Sequence, residues 1–318
     1  KAFRFGEGAM LHARLVDPRS ETLLWSGDRA AALDFAQIDR PGELASLVAE
    51  TAAACVLELG RGGTGETAHG LRAGYRALRG VLTTDRDRLL DCDRVLEGLD
   101  DLPGLAARQA WRAHLRLVSV IERHVADASD YREEAIELAA KARETDPLNP
   151  IVSALTADVA LHMEERPEKA LGLAIGAVSQ DRFSPFTYCS LAQSLARMGK
   201  AADAHEAALS ALMLAVGQPN PEWWNMRCCV TAVQLGDYDQ ALVFARTAHE
   251  LAPGFKPPLR FLAALHYQNR DYENAVGALQ ALKRLEPDFT LDLMASEAYP
   301  LATLRNTPLI RVAESALV

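Results

Sequence analysis

The glycine-rich segment from Gly60 to Thr67 comes nearest to a nucleotide-binding motif. Its residues, GRGGTGET, have the spacing of the phosphate-binding loop, in which backbone N–H groups surround the phosphates and a Lys neutralises them. Glu66 stands at the position of that Lys, and a carboxylate there would repel phosphate. The segment also follows a predicted helix, whereas the phosphate-binding loop follows a strand. We therefore predict a flexible linker over residues 61–67.

The histidines and cysteines show no catalytic or metal-binding spacing. His205 and Glu206, with Asp203 nearby, are the best acid–base candidates, and they read as an exposed helix face. The cysteines lack the C-x-x-C spacing of a structural zinc site: Cys55, Cys92, Cys189, Cys228 and Cys229. No G-x-S-x-G nucleophile motif is present. We expect no catalytic residue, no cofactor and no metal, and we expect a reducing cytoplasm as the compartment.

Composition points to closely packed helices. Ala supplies 55 of the 318 residues, and aromatic residues supply only 6%. Ala has the highest helix propensity and lets helix backbones approach one another. The net charge of −9 argues against direct nucleic-acid contact by this chain, since phosphate binding needs a dense Lys and Arg surface. No apolar run has the length of a membrane span, so we expect no membrane contact.

Small residues recur with a period of about 34 residues between Tyr131 and Pro287. Each copy places small or apolar residues at relative positions 0, 4 and 7, which lie on one face of a helix. The copies begin at Ala135, Ala170, Ala204, Ala241 and Ala275. Gly199 and Gly236 fall five residues before a copy, where a turn with positive φ is expected. The pattern predicts helix pairs that cross at the small residues.

These residues resemble a tetratricopeptide-repeat (TPR) array, whose period is 34 residues. The resemblance implies a mainly α fold, a solenoid of helix pairs with a concave groove lined by the first helix of each pair. Those helices are predicted over residues 152–163, 186–197, 223–234 and 257–268. We assign TPR-like repeats to residues 131–290, degenerate helical repeats to 68–130 and a C-terminal helical cap to 291–318.

The N-terminal part predicts a partial α/β module over residues 1–60. Alternating apolar residues predict a β-hairpin over residues 9–33, and a helix follows over 41–59. The runs Arg14–Asp17 and Leu24–Ser26, followed by repeats, resemble the C-terminal part of bacterial signalling proteins in which a TolB N-terminal-type module precedes TPR repeats. Those proteins carry a winged-helix DNA-binding domain or, less often, an adenylate-cyclase domain. The chain starts at Lys1 without Met, and we expect it to be cut from a longer protein.

The predicted binding residues are those that the resemblance places on the groove side of the first helices. Aromatic, Met and Arg side chains among them are the types that anchor interfaces. The candidates are Phe186, Gln193, Arg197, Trp223, Met226, Gln234, Arg260, Tyr267 and Gln268. Trp223 and Trp224 point about 100° apart on one helix, so we expect unequal burial, with one of them in the helix–helix core.

Three functions remain open. The first is a non-catalytic sensory or regulatory region of a bacterial transcriptional regulator, which binds a protein, peptide or small ligand in its groove. The second is a free-standing TPR adaptor or assembly factor. The third is the accessory region of a nucleotide cyclase, with catalysis elsewhere. In each, a protein or peptide in the concave groove is the expected partner, and the unpaired edge of the hairpin offers a route to a homodimer.

Overall fold

The computed structural model describes residues 2–5, 8–16, 21, 23–31, 51–52, 54–55, 66–99, 104–125, 127–296, 299–300 and 302–305. The strands within this part are β1 (Ala2–Phe5), β2 (Gly8–Val16) and β3 (Leu23–Ala31). Its helices are α1 (Glu66–Gly80), α2 (Arg86–Glu97), α3 (Leu105–Ile121), α4 (Ser129–Thr145), α5 (Pro150–His162), α6 (Pro167–Gln180), α7 (Pro185–Arg197), α8 (Ala201–Leu214), α9 (Pro221–Leu235), α10 (Tyr238–Leu251), α11 (Lys256–Gln268), α12 (Tyr272–Leu285), α13 (Leu291–Ala295) and α14 (Ala302–Arg305). None of these helices combines the length and hydropathy that a membrane span requires.

The N-terminal strands form one antiparallel sheet in the order β1-β2-β3. The hairpin predicted over residues 9–33 is confirmed, because β2 pairs with β3 and Leu15 lies opposite Trp25. Strand β1 adds a third strand that the sequence did not reveal. Of the helix predicted over residues 41–59, only 51–52 and 54–55 are described, and they are helical. Most of the predicted linker lies outside the described residues, and its last two residues begin α1.

Helices α3 to α12 pack as five consecutive pairs. In each pair an odd-numbered helix packs against the helix that follows it. This confirms the α-solenoid. Prolines in the first turn start several of these helices, where the fixed φ and the missing N–H are tolerated: Pro150, Pro167, Pro185 and Pro221. Gly199 and Gly236 follow α7 and α9 with φ of 74° and 85°, as their turn positions predict.

The small residues of the repeat form the buried face of the second helices, although in α12 Ala278 is buried and Leu279 only partly so. The buried residues of α4 are Ala135, Ala139 and Ala142, and the same three positions are the buried ones in α6 and α10. Because a methyl group is all that separates the backbones at these crossings, the helices approach closely. The positions that the sequence pattern assigns to the helix crossings in α4, α6 and α10 are therefore the positions that are buried there.

The helix pairing begins upstream of residue 131. Helix α3, in the region predicted as degenerate repeats, packs against α4 as the first helix of a pair, so the predicted boundary at 130/131 falls inside α4. A buried ion-pair cluster fastens α2 to α3. Asp93 accepts hydrogen bonds from Arg112 Nε at 3.0 Å and from Arg116 Nη2 at 2.9 Å.

The described part of the predicted cap, residues 291–318, holds the short helices α13 and α14. Met294 and Leu304 are fully buried there, and Phe289 just before α13 is also buried. Helix α14 packs against α9, so this segment returns to the inner side of the solenoid. Residues 306–318 lie outside the described part of the chain.

Candidate ligand-binding cavity

The first helices of the five pairs face one another across an inner cavity of about 380 Å³. Helices α3, α5, α7, α9 and α11 all supply lining side chains, and the segment around Tyr299 closes one side. Each first helix presents one side to its pair partner and the opposite side inward, so the pairing of the repeats directs these side chains into a common space. The concave face thus forms a pocket that is partly open to solvent.

An ion pair bridges the cavity. Arg260 on α11 donates from Nη1 and Nη2 to the two carboxylate oxygens of Glu122, which follows α3, at 3.1 and 2.8 Å. Arg260 also donates to Glu286 and, from Nε, to the hydroxyl of Tyr299 at 3.2 Å. Both members of the bridge are buried, with side-chain exposures of 3% for Arg260 and 6% for Glu122.

The surroundings of Arg260 favour its charged form. Burial alone would lower the pKa of Arg260, but the charge and hydrogen bonds of Glu122, with Tyr299 and Glu286, raise it. Tyr299 donates its hydroxyl proton to Glu286, and burial raises the pKa of this phenol. Arg260 therefore stays charged at every pH of interest, and its guanidinium is committed to the closure of the solenoid.

A second polar group lines the cavity, and three successive helix pairs contribute to it. Gln193 on α7 lies at its centre: its Nε2 donates to Asp158 Oδ1 of α5 at 3.2 Å, and its Oε1 accepts from Arg227 Nη1 of α9 at 3.1 Å. His162 Nε2 lies 3.3 Å from the same Oε1. The guanidinium carbon of Arg227 lies 4.8 Å from the centroid of the Trp223 ring.

Burial and Arg227 set the protonation of this polar group. Burial lowers the pKa of His114 to about 3 and that of His162 to about 4, and the charge of Arg227 contributes in the same direction. Burial raises the pKa of Asp158 to about 6, although Arg227 opposes the shift. At neutral pH both imidazoles are therefore neutral, Asp158 is mostly ionised and Arg227 is the cation of this polar group.

His114 on α3 presents two polar atoms that no described residue satisfies. It is 5% exposed, and neither ring nitrogen has a hydrogen-bond partner among the described residues. Its ring lies edge-on to Trp111, at 5.6 Å between centroids, and 6.3 Å from Trp223. An unsatisfied buried polar atom costs about 1–3 kcal/mol, so a histidine in this position destabilises the fold by itself.

Apolar side chains form the remaining walls. They come from α3, α9 and α11 and from the turn before α11: Val118, Met226, Val230, Phe255 and Phe261. Trp223 and Phe255 lie 6.0 Å apart with their rings tilted. The cavity wall thus combines apolar side chains with two polar groups.

We expected unequal burial of Trp223 and Trp224, and the structure buries both, Trp224 more completely. Trp224 is 1% exposed and packs against Phe186, whereas Trp223 is 7% exposed and lines the cavity. The two rings do point in different directions. Both are buried because the closed solenoid covers its own inner face, where Trp223 lies against Phe255 and His114.

The nine predicted binding residues occupy different surroundings. Gln193, Trp223, Met226 and Arg260 line the cavity. Phe186 packs between Trp111 and Trp224, each 5.1 Å away. The remaining four lie apart from the cavity: Arg197 and Gln268 are exposed, Tyr267 stacks edge-on with Tyr272, and Gln234 is half-buried.

Sequence reasoning missed several lining residues: His114, Glu122, Asp158, His162, Arg227 and Tyr299. Asp158 and His162 stand four residues apart on a predicted first helix, and Arg227 stands four after Trp223, so helical spacing could have found them. His114 and Glu122 belong to a region whose repeat pattern is too weak to assign an inner face. Among the described residues, no three His, Cys, Asp or Glu side chains are arranged to hold a metal ion.

The class of protein defined by this fold is an α-solenoid of helix pairs, and folds of this type are typically non-catalytic scaffolds for binding. Residues 232–293, from the end of α9 into α13, match the model of the tetratricopeptide-repeat family. The match covers this part of the solenoid and describes what these residues are similar to. No curated protein matches its sequence.

Solved structures with a similar fold include a monomeric mutant of IFIT1 with m7Gppp-AAAA, at 14% identity and a TM-score of 0.51, covering 86% of this chain and 64% of that one. The type IV pilus biogenesis factor PilW gives 16% identity and a TM-score of 0.47, covering 64% and 90%. Pseudomonas aeruginosa PilF gives 17% identity and a TM-score of 0.47, covering 68% and 89%. At these identities the similarity concerns the fold alone.

Proposed function

We propose that this chain is a non-catalytic sensory region that binds a small ligand in its inner cavity and passes the bound state to another part of a bacterial transcriptional regulator. The observation that carries this proposal is the bridge between Arg260 and Glu122. It crosses the concave face, where an extended peptide would lie in an open solenoid. The pocket of about 380 Å³ is large enough for a small molecule, since small-molecule sites measure roughly 300–1,000 Å³.

The regulator context rests on the sequence resemblance of the N-terminal module and the repeats that follow it. A ligand shifts a conformational equilibrium only when it binds one state better than another. Here the cavity exists only when α3 and α11 are held together, so a ligand that contacts both favours the closed solenoid. Helix α3 is also fastened to α2 by Asp93, which gives a route from the cavity toward the N-terminal module.

Blocking the cavity tests this proposal. Val230→Trp places a large ring in the cavity, and Val243→Trp is its control, because Val243 is 60% exposed on α10. Binding of a chemically mixed panel of anionic, cationic and neutral small molecules would be followed by calorimetry on the full chain. We expect saturable 1:1 binding by some members, lost in Val230→Trp and kept in Val243→Trp.

The alternatives give different results in the same experiment. If no panel member binds and a peptide library yields ligands that survive Val230→Trp, the chain is an adaptor that uses another surface. If the panel binds equally well to both tryptophan variants, the cavity is not the site. Either result overturns the proposal.

A further inference from the structure

We propose that the ligand of this cavity is a small monocarboxylic acid with an apolar body, whose carboxylate binds Arg227 and whose polar edge reaches His114. This inference rests on the proposed function above, and it adds the chemical class of the ligand. Three features of the cavity carry it: an uncommitted guanidinium, an unsatisfied imidazole and apolar walls.

The guanidinium of Arg227 has most of its hydrogen-bond capacity unused. Arg carries five N–H donors, and among the described residues Arg227 gives one hydrogen bond, to Gln193 Oε1. No carboxylate of a described residue forms an ion pair with it within 4.0 Å. Arg260 is saturated by Glu122, Glu286 and Tyr299. Arg305, the third lining arginine, donates from Nη1 to the carbonyls of Ser296 and Tyr299 and also keeps donors unused. Arg227 is the one of these two that lies against Trp223, the ring next to His114.

Stacking prepares Arg227 for a planar anion. Its guanidinium carbon lies 4.8 Å from the centroid of the Trp223 ring. The ring covers one face of the planar guanidinium, and the N–H groups at the edges of the guanidinium stay available to a ligand. Gln193 fixes one of those edges and so limits rotation of the group. A carboxylate matches the remaining fork with two parallel hydrogen bonds.

His114 supplies the second polar contact. Its two unpartnered nitrogens are buried in the wall that faces Trp223, and a neutral imidazole offers one donor and one acceptor. A ligand carboxylate oxygen accepts from the donor nitrogen, or a ligand hydroxyl pairs with either nitrogen. A ligand that does so removes the cost of burying the unsatisfied ring.

The charge and size of the ligand follow from the neighbours of Arg227. Asp158 lies close enough to Arg227 for the two charges to influence each other, so a doubly charged phosphate would meet about twice the repulsion from Asp158 that a single carboxylate meets. The walls beyond Trp223 are apolar, with Met226, Val230 and Phe255 among them. The rest of the ligand is therefore apolar, and a cavity of about 380 Å³ is near the lower end of the range for small-molecule sites.

A series of probes with one body and different charges tests the assignment. The probes are 3-phenylpropionate, 3-phenylpropanol and 3-phenylpropylamine, with inorganic phosphate as the dianion, titrated calorimetrically into the full chain at pH 7.5. We expect the acid to bind about 10- to 100-fold more tightly than the alcohol, because its hydrogen bonds to Arg227 are charge-assisted. The amine and phosphate should bind more weakly than the alcohol.

Variants at Arg227 separate its charge from its shape. Arg227→Met should lower affinity for the acid about 10- to 100-fold and leave the alcohol within about 3-fold, and Arg227→Lys should fall between Met and the native chain. Arg284→Met, at an exposed position of α12, is the matched control and should change neither. His114→Phe should weaken acid binding about 5- to 10-fold by a route independent of Arg227. Circular dichroism melts establish that each variant is folded.

The results distinguish this inference from the proposed function. If the alcohol, amine or phosphate binds as tightly as the acid, or if folded Arg227→Met and His114→Phe keep native affinity for the acid, the ligand class is wrong. The proposed function then still stands, provided that Val230→Trp blocks the binding that is observed. Should neither these probes nor the mixed panel bind in a manner that Val230→Trp abolishes, both proposals fail.

Discussion

Arg260 and Glu122, separated by 138 residues in the sequence, form a two-hydrogen-bond ion pair that joins the fifth helix pair to the end of α3. The pair is almost fully buried. A buried ion pair gains little over apolar residues of similar size, yet removal of one member leaves an uncompensated charge. The contact therefore favours one closed arrangement of the solenoid over open ones.

Removing Arg260 should destabilise the protein strongly. Arg260→Met leaves Glu122 buried without its cation, whereas Glu286 keeps Lys256 Nζ at 3.9 Å, and we expect a loss of about 3–5 kcal/mol in the free energy of unfolding. The double variant Arg260→Met with Glu122→Leu should recover part of this loss, because the second change removes the unpaired charge. Urea denaturation measures both.

The exposed ion pair between Lys141 and Glu137 provides the control for that experiment. Lys141→Met should cost about 0.5 kcal/mol or less, since surface pairs one helical turn apart contribute little. A cost for Arg260→Met no larger than that of Lys141→Met would show that the bridge does not hold the solenoid closed.

A larger side chain at a helix crossing should lower stability, whereas the same change at the neighbouring exposed position should not. Ala139 is 2% exposed at the crossing of α4 with α3, whereas Ala140 is exposed. Ala139→Leu should destabilise the chain by about 1–3 kcal/mol, and Ala140→Leu should change stability by about 0.5 kcal/mol or less. The two variants differ by a single position, so equal melting temperatures would contradict the repeat register.

Acid should weaken the fold through the cavity histidines. His114 and His162 have pKa values of about 3 and about 4, lowered from 6.5, so the unfolded chain takes up two protons between pH 6.5 and 4 that the folded chain refuses. Asp158 acts with opposite sign: its pKa, raised to about 6, lets the folded chain bind one proton over roughly the same range. The unfolded chain therefore binds about one proton more than the folded chain over this range. The free energy of unfolding then falls by about 1.4 kcal/mol for each pH unit as pH falls from 6 to 4.

His114→Phe tests the sign and the size of that dependence. It leaves His162 and Asp158 to offset each other, with Arg227 facing both and Arg197 acting on His162. Unfolding by urea at several pH values between 4 and 7.5 should therefore give a flatter profile for His114→Phe, together with equal or higher stability at pH 7.5. A steeper profile in the variant would contradict the assignment.

Asp93 should control how firmly α2 holds to α3. Asp93→Asn removes the carboxylate shared by Arg112 and Arg116, and hydrogen exchange in α2 should become faster while exchange in α9 stays the same. Asp91→Asn is the control, since Asp91 pairs with Arg94 at the exposed surface of the same helix. Equal exchange in both variants would show that the Asp93 cluster does not anchor α2.

The repeats were predictable because the residues that define each helix face lie close together in the sequence. Three small residues within eight positions specify a helix face, and five copies specify the period, so the pattern alone assigns Ala135 and Ala241 to helix crossings. Their observed burial at 0% exposure confirms this. The hairpin was predictable for the same reason, since alternation within one strand indicates its two faces.

The cavity was not predictable, because it depends on the curvature of the whole array. Small differences in helix crossing add up over five pairs and decide whether α3 meets α11 at all. Nothing local to Glu122 indicates that its partner is Arg260. Arg227 was not predicted as a binding residue for a related reason. Its sequence position does not show that Trp223 and Gln193 contact its guanidinium in the pocket.

Solenoids commonly change length by whole repeats, since each repeat contacts only its neighbours. Here every one of the five first helices contributes to a single cavity, and α3 meets α11 across it. Deleting or inserting one 34-residue repeat would change the circumference and separate Glu122 from Arg260. Within the described residues, the number of helix pairs between Glu122 and Arg260 is therefore constrained by this ion pair.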